Sequence, residues 1–184
     1  MKATGIVRRI DDLGRVVIPK EIRRTMRIRE GDPLEIYTDR EGEVIFKKYS
    51  PIGELAMFAG EYAETLYKTC AISVVICDRD AVIATAGVPR KEYADKPLSE
   101  EMDKIIESRS LYVWNEGMPP VSVIADGGSY NVRCAMPILA EGDIIGCVVS
   151  LGSSEKADKK APTADVETKL IQTAAGFLGR QLES

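Results

Sequence analysis

The sequence predicts an α+β protein in two parts. A small β-rich module spans residues 1–50, and an antiparallel-sheet domain with flanking helices spans residues 51–184. Three observations predict this class: short alternating apolar segments separated by turn residues, amphipathic helical patterns at both ends of the second part, and a sharp division of charge.

The charge division sets residues 1–29 apart. They contain nine Lys or Arg and three Asp or Glu, a net charge of +6 in a chain whose net charge is −4. Seven of the nine are arginines, whose planar guanidinium can bond two phosphate oxygens at once. A solvated basic surface is the alternative, but here arginines lie on predicted strands and beside a tight turn as well as on a helix. We therefore expect an anionic partner.

Local signals order the first module as hairpin, helix, hairpin. Residues 5–10 and 15–18 are predicted to pair around a turn in which Gly14 takes a positive φ. Pro19 favours the start of a helix that ends near Gly31, and residues 34–48 predict a second hairpin. Because the module has too few apolar side chains for a good core of its own, we expect a partner chain to complete it.

The second part begins with Ser50-Pro51, a helix start. Alternation and turn residues then predict the following elements: a helix at 52–69, strands at 72–77 and 82–86, a loop at 88–96, a helix marked by Leu98, Met102, Ile105 and Ile106, a strand at 111–114, a loop at 115–120, a hairpin of 121–125 with 130–136, a strand at 144–151, a polar loop at 153–163 and a helix at 164–182. The apolar stripes of the first and last helices can either cover their own sheet or meet across a two-fold axis in a four-helix bundle.

Composition bears on the other classes of function. The chain has no histidine and no CxxC pair among its four cysteines, so the usual general base and the common metal-ligand patterns are missing. An enzyme with a cysteine nucleophile remains an alternative, but three of the cysteines lie in apolar runs that predict buried free thiols. We expect no catalytic residues, no metal and no cofactor. The lack of a long apolar run or a signal peptide predicts a cytoplasmic protein with no membrane partner.

The first 50 residues, and above all LGRVVIPKEIRR at positions 13–24, resemble the DNA-binding domain of the AbrB-type transition-state regulators. The resemblance implies a swapped-hairpin β-barrel, in which two chains interleave their hairpins. It also implies DNA contacts from Arg8, Arg15, Arg23 and Arg24, with Arg9 and Lys2 in support.

Two later segments, VVICDRDAVIATAG at 74–87 and MPILAEGDIIGCVVSL at 136–151, resemble a GAF sensor domain. The resemblance implies a pocket for a small molecule. We expect Arg79, Trp114, Tyr130 and Arg133 near it, against the alternatives of an ordinary core position for Trp114 and a surface position for Arg133.

Taken together, the two resemblances imply a sequence-specific, DNA-binding transcription regulator of sporulation genes in spore-forming bacteria, acting as activator, repressor or both and associated with the nucleoid. The implied assembly is a dimer through residues 1–50 and a homotetramer through the helices at 52–69 and 164–182. A small-molecule effector is a further expected partner. An antitoxin-like autoregulatory DNA-binding protein is the alternative, because the same fold occurs in antitoxins.

Overall fold

The computed structural model describes residues 4–153 and 161–183. Lys2, a predicted supporting DNA contact, and most of the predicted polar loop lie outside the described residues. The chain divides into two compact units, Met1–Tyr49 and Ser50–Ser184, called below the N-terminal unit and the sheet unit. No helix within the described ranges is long and apolar enough to cross a membrane.

The N-terminal unit contains one helix and one hairpin. Helix α1 spans Lys20–Thr25, and strands β1 (Leu34–Thr38) and β2 (Val44–Lys48) pair antiparallel. The second predicted hairpin is therefore confirmed. Asp39 closes its turn, because Oδ1 accepts hydrogen bonds from the backbone N–H groups of Glu41 and Glu43 at 2.9 and 2.8 Å.

The first predicted hairpin is only partly present. The turn forms, with Gly14 at φ +75° and its N–H donating to the Asp11 carbonyl at 3.0 Å, but residues 5–10 and 15–18 form no strand in this chain. Turn chemistry is local and was predicted correctly. Strand pairing needs a neighbouring edge, and the single chain does not supply one here.

The sheet unit contains all of the other elements. Its helices are α2 (Pro51–Glu54), α3 (Ala56–Cys70), α4 (Arg90–Tyr93), α5 (Glu100–Glu107) and α6 (Ala164–Leu182), and its strands are β3 (Ser73–Cys77), β4 (Val82–Ala86), β5 (Tyr112–Val113), β6 (Asn131–Ala140) and β7 (Asp143–Gly152). The five strands form one antiparallel sheet in the order β4-β3-β7-β6-β5. The predicted α+β class is confirmed.

Both faces of this sheet are buried. On one face, Ile76 and Val148 pack in a core with Ala63 of α3 and Leu178 of α6. On the other face, the alternate strand residues Val75 and Val149 pack with α5 and the loops around it. The apolar stripes of α3 and α6 thus cover their own sheet, which was one of the two alternatives.

Three predicted elements differ from the structure. The helix predicted at 52–69 breaks at Leu55, which lies between α2 and α3, and the predicted loop at 88–96 contains the short helix α4. Residues 121–125 form no strand with β6. The Val121 carbonyl still accepts the Val132 N–H of β6 at 2.9 Å, but the rest of the segment bonds to the residues before α5, through Ser99 N–H to the Val123 carbonyl at 2.9 Å and Ala125 N–H to the Pro97 carbonyl at 3.0 Å.

Strand β6 also runs past Pro137, although the sequence predicts its end at Met136. Strand β5 pairs with β6 only at Cys134 and Ala135. Beyond that point β6 is bordered by β7 alone, and an edge strand tolerates a proline because its missing N–H faces no partner.

Candidate functional site

The predicted DNA-contacting arginines lie on two segments of the N-terminal unit. Arg8, Arg9 and Arg15 are exposed on the segments beside the Asp11 turn, and Arg24 is exposed on α1. Arg23, also on α1, is half-buried, and its Nε has no hydrogen-bond acceptor in the structure. Of these five arginines, Arg15 forms an ion pair with Asp11. For the other four, no ion pair is found among the described residues.

Asp11 organises the turn and orients Arg15. Its Oδ1 accepts the backbone N–H groups of Leu13 and Arg15 at 3.0 and 2.8 Å, and its Oδ2 accepts Arg15 Nε at 2.8 Å. The backbone hydrogen bond from Arg15, followed by its side-chain hydrogen bond, holds the pKa of the Asp11 carboxyl below its ordinary value. The Arg15 guanidinium is therefore positioned before any partner binds.

A second cluster fixes the end of α1. Arg27 takes a left-handed conformation at φ +50°, and Lys48 Nζ donates to its carbonyl oxygen at 2.7 Å. The same ammonium lies 3.4 Å from the nearly buried Asp32 carboxylate. A cation at the carboxyl end of a helix is favourable, so strand β2 holds the helix that carries Arg23 and Arg24.

A separate cavity of about 650 Å³ lies in the sheet unit, where β6 begins, β7 ends and α6 starts. This volume is typical of small-molecule sites. Its lining includes Trp114, Asn131, Arg133, Cys134, Glu167 and Thr168.

The polar end of the cavity is an ion pair. Arg133 NH2 lies 3.3 Å from Glu167 Oε2, and the Glu167 side chain is 6 % exposed whereas that of Arg133 is 43 % exposed. Gly152 makes room for the arginine, because a Cβ there would lie 2.5 Å from Arg133 Cδ. A buried carboxylate thus faces an arginine that also reaches solvent.

The four predicted pocket residues separate into two groups. Trp114 and Arg133 both line the cavity, and they are adjacent through a backbone hydrogen bond of 2.8 Å from Trp114 N–H to the Arg133 carbonyl. Tyr130 lies on the opposite face of the sheet, where its N–H donates to the Tyr93 hydroxyl at 3.0 Å. Arg79 lies in the turn between β3 and β4. Neither Tyr130 nor Arg79 lines the cavity.

Sequence reasoning missed Glu167. Its position gives a signal, because Glu167, Ile171, Ala174 and Leu178 follow helical spacing along the buried face of α6. A carboxylate on an apolar stripe is unusual, since ionised groups are seldom buried without a role or a partner.

The cysteines are free in the structure, and Cys77, Cys134 and Cys147 are buried, as predicted. Burial raises the pKa of the Cys134 thiol to about 11, with a hydrogen bond to Thr168 acting in the opposite direction, and burial also raises the pKa of Cys147 well above its ordinary value. Low-pKa, exposed thiols are the reactive ones, so these two are unsuited to nucleophilic chemistry. The described residues also contain no cluster of three His, Cys, Asp or Glu that could hold a metal.

Thiol titration tests this conclusion. At pH 8 only about one Cys134 thiol in a thousand is ionised when its pKa is about 11. We therefore expect a disulfide reagent to modify only the half-buried Cys70 in the folded protein and all four thiols after denaturation. A Cys70→Ser variant should show no reaction until it unfolds. Rapid modification of a second thiol in that variant would reopen the cysteine-enzyme alternative.

Comparison with known proteins covers both units. Residues 54–183 match the family described as the stage V sporulation protein T C-terminal region, transcription factor, and residues 7–53 match the family described as antidote-toxin recognition MazE, bacterial antitoxin. Stage V sporulation protein T of Bacillus subtilis is 53 % identical over 183 residues, covering 100 % of this chain and 99 % of that protein. The transition state regulatory protein AbrB of the same bacterium is 65 % identical over 106 residues, covering 57 % of this chain and 94 % of that protein.

Solved structures give partial overlaps. The N-terminal DNA recognition domain of Bacillus subtilis AbrB is 65 % identical and covers 27 % of this chain and 91 % of that chain, with a TM-score of 0.23. The GAF domain of A. aeolicus nlh2 is 14 % identical and covers 71 % of this chain and 91 % of that chain, with a TM-score of 0.49.

The full-length match defines the class of protein as a bacterial sporulation transcription factor. The chain belongs to the stage V sporulation protein T family. The predicted regulator of sporulation genes is thereby confirmed, whereas the match to an antitoxin family is limited to residues 7–53.

Proposed function

We propose that this transcription factor binds double-stranded DNA in the cell's nucleoid as a dimer formed by two N-terminal units, and that it has no catalytic activity. The observation that carries the proposal is the exposure of apolar side chains in this unit. Thirteen of the nineteen large exposed hydrophobic side chains in the described structure belong to it, and Val7 is 86 % exposed. Such a surface is typical of a chain that completes its core with a partner.

The segments beside the Asp11 turn explain how the partner contributes. Residues 5–10 and 15–18 contain both apolar and basic side chains, but they form no strand with any other part of the described chain. A second copy can supply that partner, so that exposed apolar side chains such as Val7 and Val17 enter a shared core. The two copies then combine their arginines into one basic surface, consistent with the DNA recognition domain of the relative AbrB.

Salt dependence tests the DNA proposal. If Arg8, Arg15, Arg23 and Arg24 of both chains contact phosphates, the logarithm of the association constant should fall with the logarithm of salt concentration at a slope of roughly −4 to −7. The measurement is fluorescence anisotropy of a labelled duplex with the full-length protein at several salt concentrations. A slope near zero would contradict phosphate binding by the arginines.

We also propose that α3 and α6 join two such dimers into a tetramer. The Phe177 ring of α6 packs against Phe58 and Tyr62 of α3, with ring centroids 5.9 and 5.6 Å away. Phe177 is nonetheless 40 % exposed and Val166 is exposed on the same side of α6, while the sheet-facing side is already buried. We call the side of α3 and α6 that carries Phe58, Tyr62, Val166 and Phe177 the outer stripe. It can pair with the same surface of a second copy around a two-fold axis.

Charge substitutions on the outer stripe test the assembly. We expect Val166→Glu with Phe177→Glu to reduce the native mass from four chains to two, because the new carboxylates would be buried in an apolar interface. Gln172→Glu, on the exposed side of α6 away from the stripe, is the matched control and should stay tetrameric. Light scattering after size exclusion gives the masses. An unmodified protein that is dimeric at micromolar concentration would refute the tetramer.

We propose further that the sheet unit binds a small-molecule effector that changes DNA affinity. The cavity beside Trp114 supports binding, and the start of the sheet unit supports coupling. There Ser50 Oγ accepts Gly53 N–H at 3.2 Å, capping α2, and donates to Asp78 Oδ2 in the β3–β4 turn at 3.0 Å. The residue that follows the N-terminal unit is therefore fixed to the sheet.

A further inference from the structure

We propose that the cavity between Trp114 and Glu167 binds a free α-amino acid with an apolar side chain. The inference rests on the proposed effector role of the sheet unit and names the ligand class. It is drawn from three features of the lining: a buried carboxylate with spare acceptor capacity, an arginine with spare donors, and an apolar wall.

Glu167 is the first feature. A carboxylate removed from water normally needs several hydrogen bonds or a close ion pair to offset its lost hydration. Here the side chain is 6 % exposed, and its one charge contact is to Arg133 NH2 at 3.3 Å. No described N–H or O–H group donates a hydrogen bond to Oε1. The carboxylate can therefore accept hydrogen bonds from an ammonium group in the cavity.

Arg133 is the second feature. Its guanidinium has five N–H donors in a planar fork, and the described contacts use one nitrogen for Glu167. The side chain lies across Gly152, which fixes its path along β7. The unused edge can bind a carboxylate with two parallel hydrogen bonds.

The charges of this pair select the ligand. Glu167 and Arg133 sum to zero, so a ligand with a single charge would attract one of them and leave the other without its partner. A zwitterion satisfies both, with its ammonium at Glu167 and its carboxylate at Arg133. Because the Glu167 and Arg133 side chains lie close together, the ammonium and carboxylate of the ligand must also be close. An α-amino acid carries both groups on one carbon.

Trp114 provides the apolar wall. Its indole N–H already donates to the Met118 carbonyl at 3.1 Å, so the indole contributes apolar surface to the cavity and no free donor. Val113 and Pro120 extend this apolar surface. An aliphatic or thioether side chain packed there would lose contact with water, which favours apolar amino acids over polar ones.

The test uses Trp114 as its own reporter, because it is the chain's one tryptophan. Full-length protein is titrated with L-leucine, L-isoleucine, L-valine and L-methionine while tryptophan emission is recorded. We expect a saturable change with at least one of them below ~10 mM. Isoamylamine and isocaproate, which are leucine without its carboxylate and without its amino group, should each bind roughly tenfold or more weakly. The proposal is overturned if none of the four amino acids gives a saturable change. It is also overturned if isoamylamine and isocaproate bind as tightly as L-leucine.

Variants locate the site. Glu167→Gln and Arg133→Gln should each weaken amino-acid binding by roughly tenfold or more. Tyr130→Phe, on the opposite face of the sheet, and Lys169→Gln, on the exposed side of α6, are the controls and should bind normally. Thermal melting shows whether each variant is folded. If Glu167→Gln is unfolded, amino-acid binding by Arg133→Gln alone tests the assignment of the site. Normal binding by a folded Arg133→Gln variant would contradict the assignment.

The regulatory role has a separate readout. DNA affinity is measured with and without the bound amino acid, and coupling of this kind is typically about 5–150-fold. Binding with unchanged DNA affinity would confirm the ligand class and reject the effector role. An absence of binding, with normal DNA binding, would reject the ligand class and leave the DNA-binding function intact.

Discussion

Replacing Arg8, Arg15, Arg23 and Arg24 together by alanine is expected to lower DNA affinity by at least about 10³-fold, because each substitution would remove a charge-assisted phosphate contact from both chains of the proposed dimer. Each single substitution should cost about tenfold. Arg15→Ala should be the most damaging of the exposed positions, since it also leaves the Asp11 carboxylate, now 2.8 Å from Arg15 Nε, uncompensated beside the phosphates.

The control for this series is Arg40→Ala, which removes an exposed arginine from the turn of the second hairpin in the same unit. It should bind DNA almost normally. The variants at the exposed positions Arg8, Arg15, Arg24 and Arg40 should melt close to the unmodified protein, because exposed charges contribute little to stability. Tight, salt-insensitive DNA binding by the quadruple variant would show that the basic surface lies elsewhere.

Gly179→Ala is expected to produce a large loss of stability from a single added methyl group. A Cβ at this position would lie 2.2 Å from the carbonyl oxygen of Leu139, so helix α6 would have to move away from strand β6. Overpacking of this kind costs about 1–3 kcal/mol, which corresponds to a decrease of roughly 2–12 °C in melting temperature for a chain of this size.

Gly176→Ala is the matched control in the same helix. Nothing lies within 4 Å of a Cβ there, and alanine is a better helix former than glycine by about 0.5–1 kcal/mol. The two substitutions are chemically identical, but they should change the melting temperature in opposite directions. Equal melting temperatures, measured by circular dichroism, would show that α6 does not pack closely on β6.

Local chemistry explains what the sequence could predict. Gly14, Asp39 and the Ser50-Pro51 pair specify their turns and helix start through their own backbone preferences, and each lies where expected. Residues 121–125 have an equally clear strand pattern, yet two of their backbone groups bond to residues 97–99 and the Val121 carbonyl alone bonds to Val132 of β6 among the described contacts. Alternation indicates which side chains face a core, but it does not identify the partner strand.

The candidate sites follow the same rule. A dense motif identified the arginines as candidate DNA contacts, which remain a prediction, and the cavity includes the predicted residues Trp114 and Arg133. Glu167 was missed because its role depends on α6 packing across the sheet from a strand more than thirty residues earlier. Tyr130 and Arg79 are polar residues near turns in the sequence, but the sheet places them away from the cavity.

The uncovered apolar surface of the N-terminal unit has a consequence for the living cell. Ribosomes complete residues 1–49 before the sheet unit exists, and in the proposed dimer exposed residues such as Val7 and Val17 become buried only when a second chain arrives. Formation of the proposed dimer would therefore be second order in chain concentration. At low expression, we expect the concentration of active protein to rise more steeply than that of its messenger RNA. Assembly would then set a threshold concentration for transcription regulation.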